Sequence, residues 1–151
     1  MWNKEQDFSR YIIGKLKRAG CNPIRVESGT TGVGFPDLYV MGLGDYFIEL
    51  KNVKYSIDDY KWKIPWRAGQ QAWAQTYRQY HTSKSGAKCT WTFVGMTDGV
   101  VFIRMSKFAE NNTVYAGNNP DVFRYSFYKL RNLNLGEFLQ AHSQVDSQEV
   151  A

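Results

Sequence analysis

Asp37, Glu49 and Lys51 are the residues of this chain whose types and spacing could do chemistry. Two carboxylates and an ammonium near one point offer hard oxygen ligands to a divalent cation and a positive charge to a developing anion. Asp37 lies in Gly34-Phe35-Pro36-Asp37-Leu38-Tyr39-Val40, and Glu49 and Lys51 lie in Tyr46-Phe47-Ile48-Glu49-Leu50-Lys51. Between them Gly42-Leu43-Gly44-Asp45, flanked by aromatic and β-branched residues, predicts a hairpin turn. A loop centred on Leu43 puts Asp37 opposite Glu49, and Glu49 and Lys51, two residues apart on a strand, share a face. Spacing alone leaves a second reading open, because Glu-x-Lys on an edge strand is commonly a solvated pair. The apolar phase of Ile48 and Leu50 matches that of Leu38 and Val40, which predicts one packed face. The charges then cluster where that sheet meets a cleft, a costly place without a partner or an ion.

Helical spacing of Phe8, Ile12, Leu16 and Ala19, with Gly20 as the stop, predicts an amphipathic helix over residues 4–19. At 100° per residue Glu5 falls on the stripe of Phe8 and Ile12, the buried side; the alternative is an ordinary first-turn partner of the helix dipole. Residues 24–27 read as a short strand. Residues 28–34 read as a glycine-rich loop that lacks both the Gly-Lys-Ser/Thr ending of a P-loop and the GxGxxG of a dinucleotide fold. It is expected to let a DNA backbone approach the hairpin, with Ser28 as a phosphate contact.

Residues 52–67 interleave basic and aromatic side chains. Lys54, Lys61, Lys63 and Arg67 would neutralise phosphates while Tyr and Trp stack on bases. Equally, the aromatics could anchor a loop whose lysines are solvated. Pro65 precedes a helix from Gln70 whose stripe of Trp73, Ala74, Tyr77 and Tyr80 packs on the sheet. Residues 88–96 and 100–103, joined through Asp98-Gly99, read as a second hairpin. Beyond it come a short helical piece at 106–109, an Asn-rich loop, an aromatic segment at 123–128 and a small helix around 135–141.

A chain of 151 residues with 43% hydrophobic composition is expected to form one domain, residues 1–141, with a polar, frayed tail at 142–151. The net charge of +5 and pI near 9.2 favour polyanionic partners. No apolar run approaches the roughly 18 residues that span a bilayer, and the first residues lack a signal-peptide core, so a soluble, cytoplasmic protein with no membrane partner is expected. Cys21 and Cys89 are far apart without CxxC spacing, which argues against a disulfide scaffold and a zinc site. His81 and His142 form no HExxH and accompany no nucleophilic Ser or Cys, so neither is expected in a site.

Pro36-Asp37 with Glu49-Leu50-Lys51 resembles the PD-(D/E)xK nuclease superfamily. Gly-Phe-Pro-Asp-Leu and Phe-Ile-Glu-Leu-Lys are most similar to its VRR-NUC (virus-type replication-repair nuclease) group and the neighbouring Holliday-junction resolvases. Arg67-Ala68-Gly69-Gln70-Gln71-Ala72-Trp73 resembles the start of the helix that follows the catalytic hairpin there, although Ala68-Gly69 stands where that group more often has a Pro-Glu-type pair. The resemblance, over about residues 5–104, implies an α/β, restriction-endonuclease-like fold: a mixed central sheet flanked by helices with an αβββαβ core. It implies Mg²⁺ or Mn²⁺ held by Asp37, Glu49 and the Leu50 carbonyl, with Glu5 approaching. Lys51 would position the nucleophile or offset phosphate charge, and Gln70 would orient the attacking water or the phosphate. The expected function is metal-dependent DNA hydrolysis, endonucleolytic and selective for branched DNA. The alternative is a catalytically inactive nucleic-acid-binding or interaction protein that retains the nuclease fold. The resemblance also implies a homodimer, for which the segment 123–128 is the candidate patch in a chain with 9 Phe, 10 Tyr and 5 Trp. A small nuclease of this type without a targeting module resembles phage-encoded enzymes, which work in the host cytoplasm.

Overall fold

The computed structural model describes residues 2–26, 34–42, 44–80 and 89–143. The chain opens with α1 (Glu5–Arg18), whose Phe8, Ile12 and Leu16 are fully buried at i, i+4 spacing. Acidic residues in its first turn and basic residues in its last complement the helix dipole. Gly20, at φ 84, turns the chain out, and the Cys21 N–H reaches back to the Leu16 carbonyl at 3.0 Å. Three strands follow: β1 (Asn22–Arg25), β2 (Leu38–Met41) and β3 (Asp45–Asn52). After a short β4 (Lys61–Lys63), α2 (Gln70–Tyr80) carries the chain over the sheet to β5 (Cys89–Gly95). β6 (Gly99–Arg104), β7 (Thr113–Tyr115), β8 (Val122–Ser126), α3 (Phe127–Leu130) and α4 (Leu135–Ser143) complete it.

The main sheet has the order β1-β2-β3-β5-β6-β8, with β3 and β5 parallel and the other neighbours antiparallel. The parallel pair needs a crossover, and α2 lies within it. Alternate side chains of β3 divide between two cores. Tyr46, Ile48 and Leu50 join Phe8, Ile12, Leu16 and the apolar residues of α4 on one face. On the other, Phe47 meets Trp73 and Tyr77 of α2 with ring centroids 5.2 and 5.1 Å away. β4 and β7 form a separate two-stranded sheet that contributes Trp62 and Val114 to this second core.

Several sequence expectations change here. β1 begins two residues earlier than expected. Residues 106–109 form no helix, and a 3-10 turn at Glu110–Asn112 follows them, with Asn111 and Asn112 at φ 54 and 58, a region Asn tolerates. Trp62 and Trp66 are 0% and 6% exposed, so they anchor their segment and do not stack on bases. Phe123 and Tyr125 of the expected 123–128 dimer patch pack against Phe138 at centroid distances of 5.3 and 5.7 Å and are partly buried within the chain. Tyr128 alone of those rings is exposed. His142 and Ser143 belong to α4 and not to a frayed tail: the Ser143 hydroxyl accepts from the Trp91 indole at 2.8 Å, and the His142 ring packs on Phe123. Among the described residues no helix is long and apolar enough to cross a membrane.

Candidate active site

The β2–β3 register sets Leu38 against Ile48 and Met41 against Asp45, which carries Asp37 to the position opposite Glu49, as the turn spacing predicts. β2 ends at this point while β3 runs on to Asn52, so the next stretch of β3 has lost its neighbour on that side. The Asp37 side chain fills in. Its Oδ2 accepts the Leu50 N–H at 2.8 Å, and its backbone carbonyl accepts the Val26 N–H at 2.9 Å. The Asp37 carboxylate is thereby held against the β3 backbone, within hydrogen-bonding reach of Glu49.

Glu49 and Lys51 are on the second-core face of β3 but beyond the rings that cover Phe47. They are 6% and 8% exposed, and both open onto one cleft of about 740 Å³. Lys51 makes no ion pair among the described residues. Burial pushes the Glu49 carboxyl up to about 9; a hydrogen bond with Asp37 and that residue's charge add to the effect, while Lys51 and Arg67 oppose it. The Glu49 carboxyl therefore keeps its proton well above the ordinary carboxylate range. On its inner side Glu49 borders a slot of about 10 Å³ lined by Pro36, Trp66, Gln70 and Thr92, too small for more than about one water.

The backbone that delivers Asp37 is held by a close approach of two glycines. Gly34, at φ 99, lies so near Gly69, at φ 91, that a Cβ on Gly34 would sit 2.2 Å from the Gly69 carbonyl oxygen. The start of α2 and the Pro36–Asp37 segment are therefore locked together, and only glycine fits at the contact. Gly69 belongs to the Ala68-Gly69 pair at which the chain departs from the pattern it resembles.

The sequence-predicted residues fall into three groups. Asp37, Glu49, Leu50, Lys51 and Arg67 line the cleft together, and Glu5 joins them from the first turn of α1. Glu5 is exposed, not buried as its helical phase predicted, because the first turn of α1 overhangs the core that begins at Phe8. It stands at the rim: no group of three or more His, Cys, Asp or Glu side chains forms a ligand cluster among the described residues. Gln70 is buried behind the cleft, where its Oε1 accepts the Arg67 N–H at 2.8 Å, so it positions Arg67 and does not face the open space. Lys54, Lys61 and Lys63 are exposed outside the cleft, and Ser28 lies outside the described residues.

Gln6, Ser9, Arg25 and Asn52 also line the cleft and were not found by sequence reasoning. The Arg25 guanidinium donates to the Ser9 hydroxyl, tying β1 to α1. Asn52 Nδ2 donates to the Trp2 carbonyl at 3.3 Å and holds the chain leading into α1 over the end of β3. One signal did point to Ser9: it lies four residues after Glu5, hence on the same helical stripe, and is a buried polar residue there.

No protein-family model matches the sequence, and no curated protein matches it. Among solved structures the chain is similar to Hjc of Archaeoglobus fulgidus, a Holliday junction resolvase from an archaeal hyperthermophile. The TM-score is 0.53 at 15% identity, and the match covers 88% of this chain and 98% of that one. The fold is accordingly the restriction-endonuclease-like mixed α/β fold, with the αβββαβ core read as α1, β1, β2, β3, α2 and β5, and β4 inserted before α2.

Proposed function

We propose that the chain is a divalent-metal-dependent deoxyribonuclease that hydrolyses phosphodiester bonds in the cleft beside the stretch of β3 that extends past β2. The observation that carries this reading is the meeting of Asp37 and Glu49 across the β2–β3 register, with Lys51 buried beside them and all three opening on one cleft. A buried Glu49 carboxyl that keeps its proton beside the half-buried Asp37 is the arrangement a hard cation would replace, and the donor set is oxygen throughout. Mg²⁺ or Mn²⁺ would be held by Asp37, Glu49 and the Leu50 carbonyl, with Glu5 acting from the rim. When bound, such an ion polarises the phosphate and lowers the pKa of a water toward about 7 in the best-tuned sites.

The chain's own groups supply the rest. Lys51, an ammonium with no ion-pair partner among the described residues, offsets charge on the phosphate as it becomes pentacovalent. Arg67, braced by Gln70, and Arg25, braced by Ser9, hold the phosphate backbone in place. Because the structural relative is a Holliday junction resolvase, we infer endonucleolytic action with preference for branched DNA, by a homodimer that brings two such sites to two strands.

A nicking assay on supercoiled plasmid tests the reading. Cleavage is expected with Mg²⁺ or Mn²⁺, none with a chelator, and weak or none with Ca²⁺. Metal-independent cleavage would refute it. A chain that binds DNA but cuts no plasmid, linear or branched substrate with any of these ions would establish the inactive-binder alternative.

A further inference from the structure

Residues 61–67 alternate without a break: Lys61, Lys63, Pro65 and Arg67 are exposed while Trp62, Ile64 and Trp66 are buried. The two-residue period of β4 thus continues past its last paired residue, and the exposed row ends in Pro65 and Arg67, which line the cleft. The row from Arg67 to Lys61 is shorter than the roughly 20 Å of a fully extended strand, because the Trp66 N–H turns back to the Ile64 carbonyl at 2.8 Å. Opposite it, the β4–β7 register pairs Lys61 with Tyr115 and Lys63 with Thr113, so these four share the outer face of the small sheet. Tyr115 is 59% exposed, and Tyr60, 71% exposed, lies under the Lys61 ammonium at 5.5 Å. Beneath them Trp62 and Val114 point inward and fix the platform to the core. Neither lysine makes an ion pair among the described residues. The nearest preceding acids, Asp58 and Asp59, lie at the far end, and Asp59 is engaged with the Ser56 N–H at 3.0 Å.

We propose that this row is a track for a single DNA strand leaving the cleft, its phosphates on Arg67, Lys63 and Lys61 and a base stacked on Tyr115, so that the preferred substrate has an unpaired segment beside the cut. A duplex would satisfy the cations equally, but its base faces are stacked within the helix; a single strand also uses the exposed rings. The direction of the track rests on the cleft being the cleavage site.

The test is fluorescence anisotropy with a labelled oligothymidylate and a blunt duplex of the same length, without divalent metal. The wild-type chain is expected to prefer the oligothymidylate. Lys61→Ala with Lys63→Ala should weaken that binding and flatten the slope of log K against log salt by about 1.4, from roughly 0.7 for each single-strand phosphate that is no longer neutralised. Tyr115→Ala should weaken it about tenfold with the slope unchanged. Equal affinity for the two DNAs, wild-type binding in these variants, or the same weakening in Lys129→Ala on α3 would overturn the track. Plasmid nicking by the wild-type chain is measured alongside. Nicking with no effect of the variants on single-strand binding removes the track and leaves the nuclease. The expected weakening of single-strand binding in variants of a chain that never cuts removes the nuclease and leaves the row as a single-strand binding surface.

Discussion

Glu49 on β3 and Thr92 on β5 are register partners on the same face of the sheet, both buried and both polar. Their surroundings differ. The Thr92 hydroxyl accepts from the Trp66 indole at 3.0 Å and donates to the Met105 sulfur at 3.2 Å, so it is satisfied by side chains of the second core. Glu49, one strand closer to where β2 ends, meets the carboxyl of Asp37, another acid, and an open cleft. A buried polar group whose partners are neutral core side chains is part of the scaffold; a buried acid whose partner is a second acid at an open cleft is poised for a ligand. What separates the two positions is the early end of β2, which opens the side of β3 and puts Asp37 there.

The strongest way to break this contrast is to neutralise the acidic side of it. Asp37→Asn and Glu49→Gln should each lower plasmid nicking by at least about a thousandfold, the scale of several kcal/mol of forfeited cation stabilisation, with DNA binding in a gel-shift assay retained. Nicking within tenfold of wild type in either would remove the site. Lys51→Ala should lower kcat by about a hundredfold with KM little changed, because its charge acts on the transition state; a rise in KM alone would make it a simple phosphate contact. Gln70→Ala should cost about tenfold through misplacement of Arg67, while Gln70→Glu, which keeps the acceptor for the Arg67 N–H, should recover most of the rate.

Smaller effects read the scaffold side. Glu49 holds its proton up to about 9 in the folded chain against an ordinary value of 4.5. The folded state therefore binds more protons between those values, and this group's contribution to stability is complete below about 4.5 and lost as pH rises through about 9. In thermal melts without metal, Glu49→Gln should be the more stable protein at pH 8 to 9, with the gap closing toward pH 5. A gap independent of pH would show that Glu49 is not held protonated. At Thr92 the expected change is structural only: Trp66→Phe removes one buried hydrogen bond, costs about 1 kcal/mol in urea unfolding, and leaves the nicking rate within a fewfold.

The parts of the fold written in local pattern were legible in the sequence. The i, i+4 stripe of Phe8, Ile12 and Leu16 marks α1, and the length of the turn between the Asp37 and Glu49 segments predicts the register that brings Asp37 to Glu49. Asp98-Gly99 likewise marks the β5–β6 turn. β4 and β7 were not legible, because three-residue strands among interleaved charges and aromatics have too little period to stand out. What they do is visible only once Trp62 and Trp66 are seen to point inward. The candidate site divides the same way. Asp37, Glu49 and Lys51 sit on one hairpin and could be placed from spacing. Arg25 and Ser9 come from β1 and α1 and are joined by a contact across the fold that no short motif encodes. Gln70 was visible as a position at the head of α2, but the turn of its amide oxygen to the Arg67 N–H is a local hydrogen bond that no spacing in the sequence marks.

Whether the Asp37–Glu49 pair is a divalent-metal site is tested most directly by titrating Mn²⁺ into the free protein and counting bound ion by electron paramagnetic resonance. Saturable binding is expected that tightens as pH rises from 6 toward 9, since the ion must displace the proton held at Glu49, and that disappears in Asp37→Asn and in Glu49→Gln. Mn²⁺ binding equally well to the wild type and to both variants, or not at all to the wild type in the presence of cleavable DNA, would contradict the metal site.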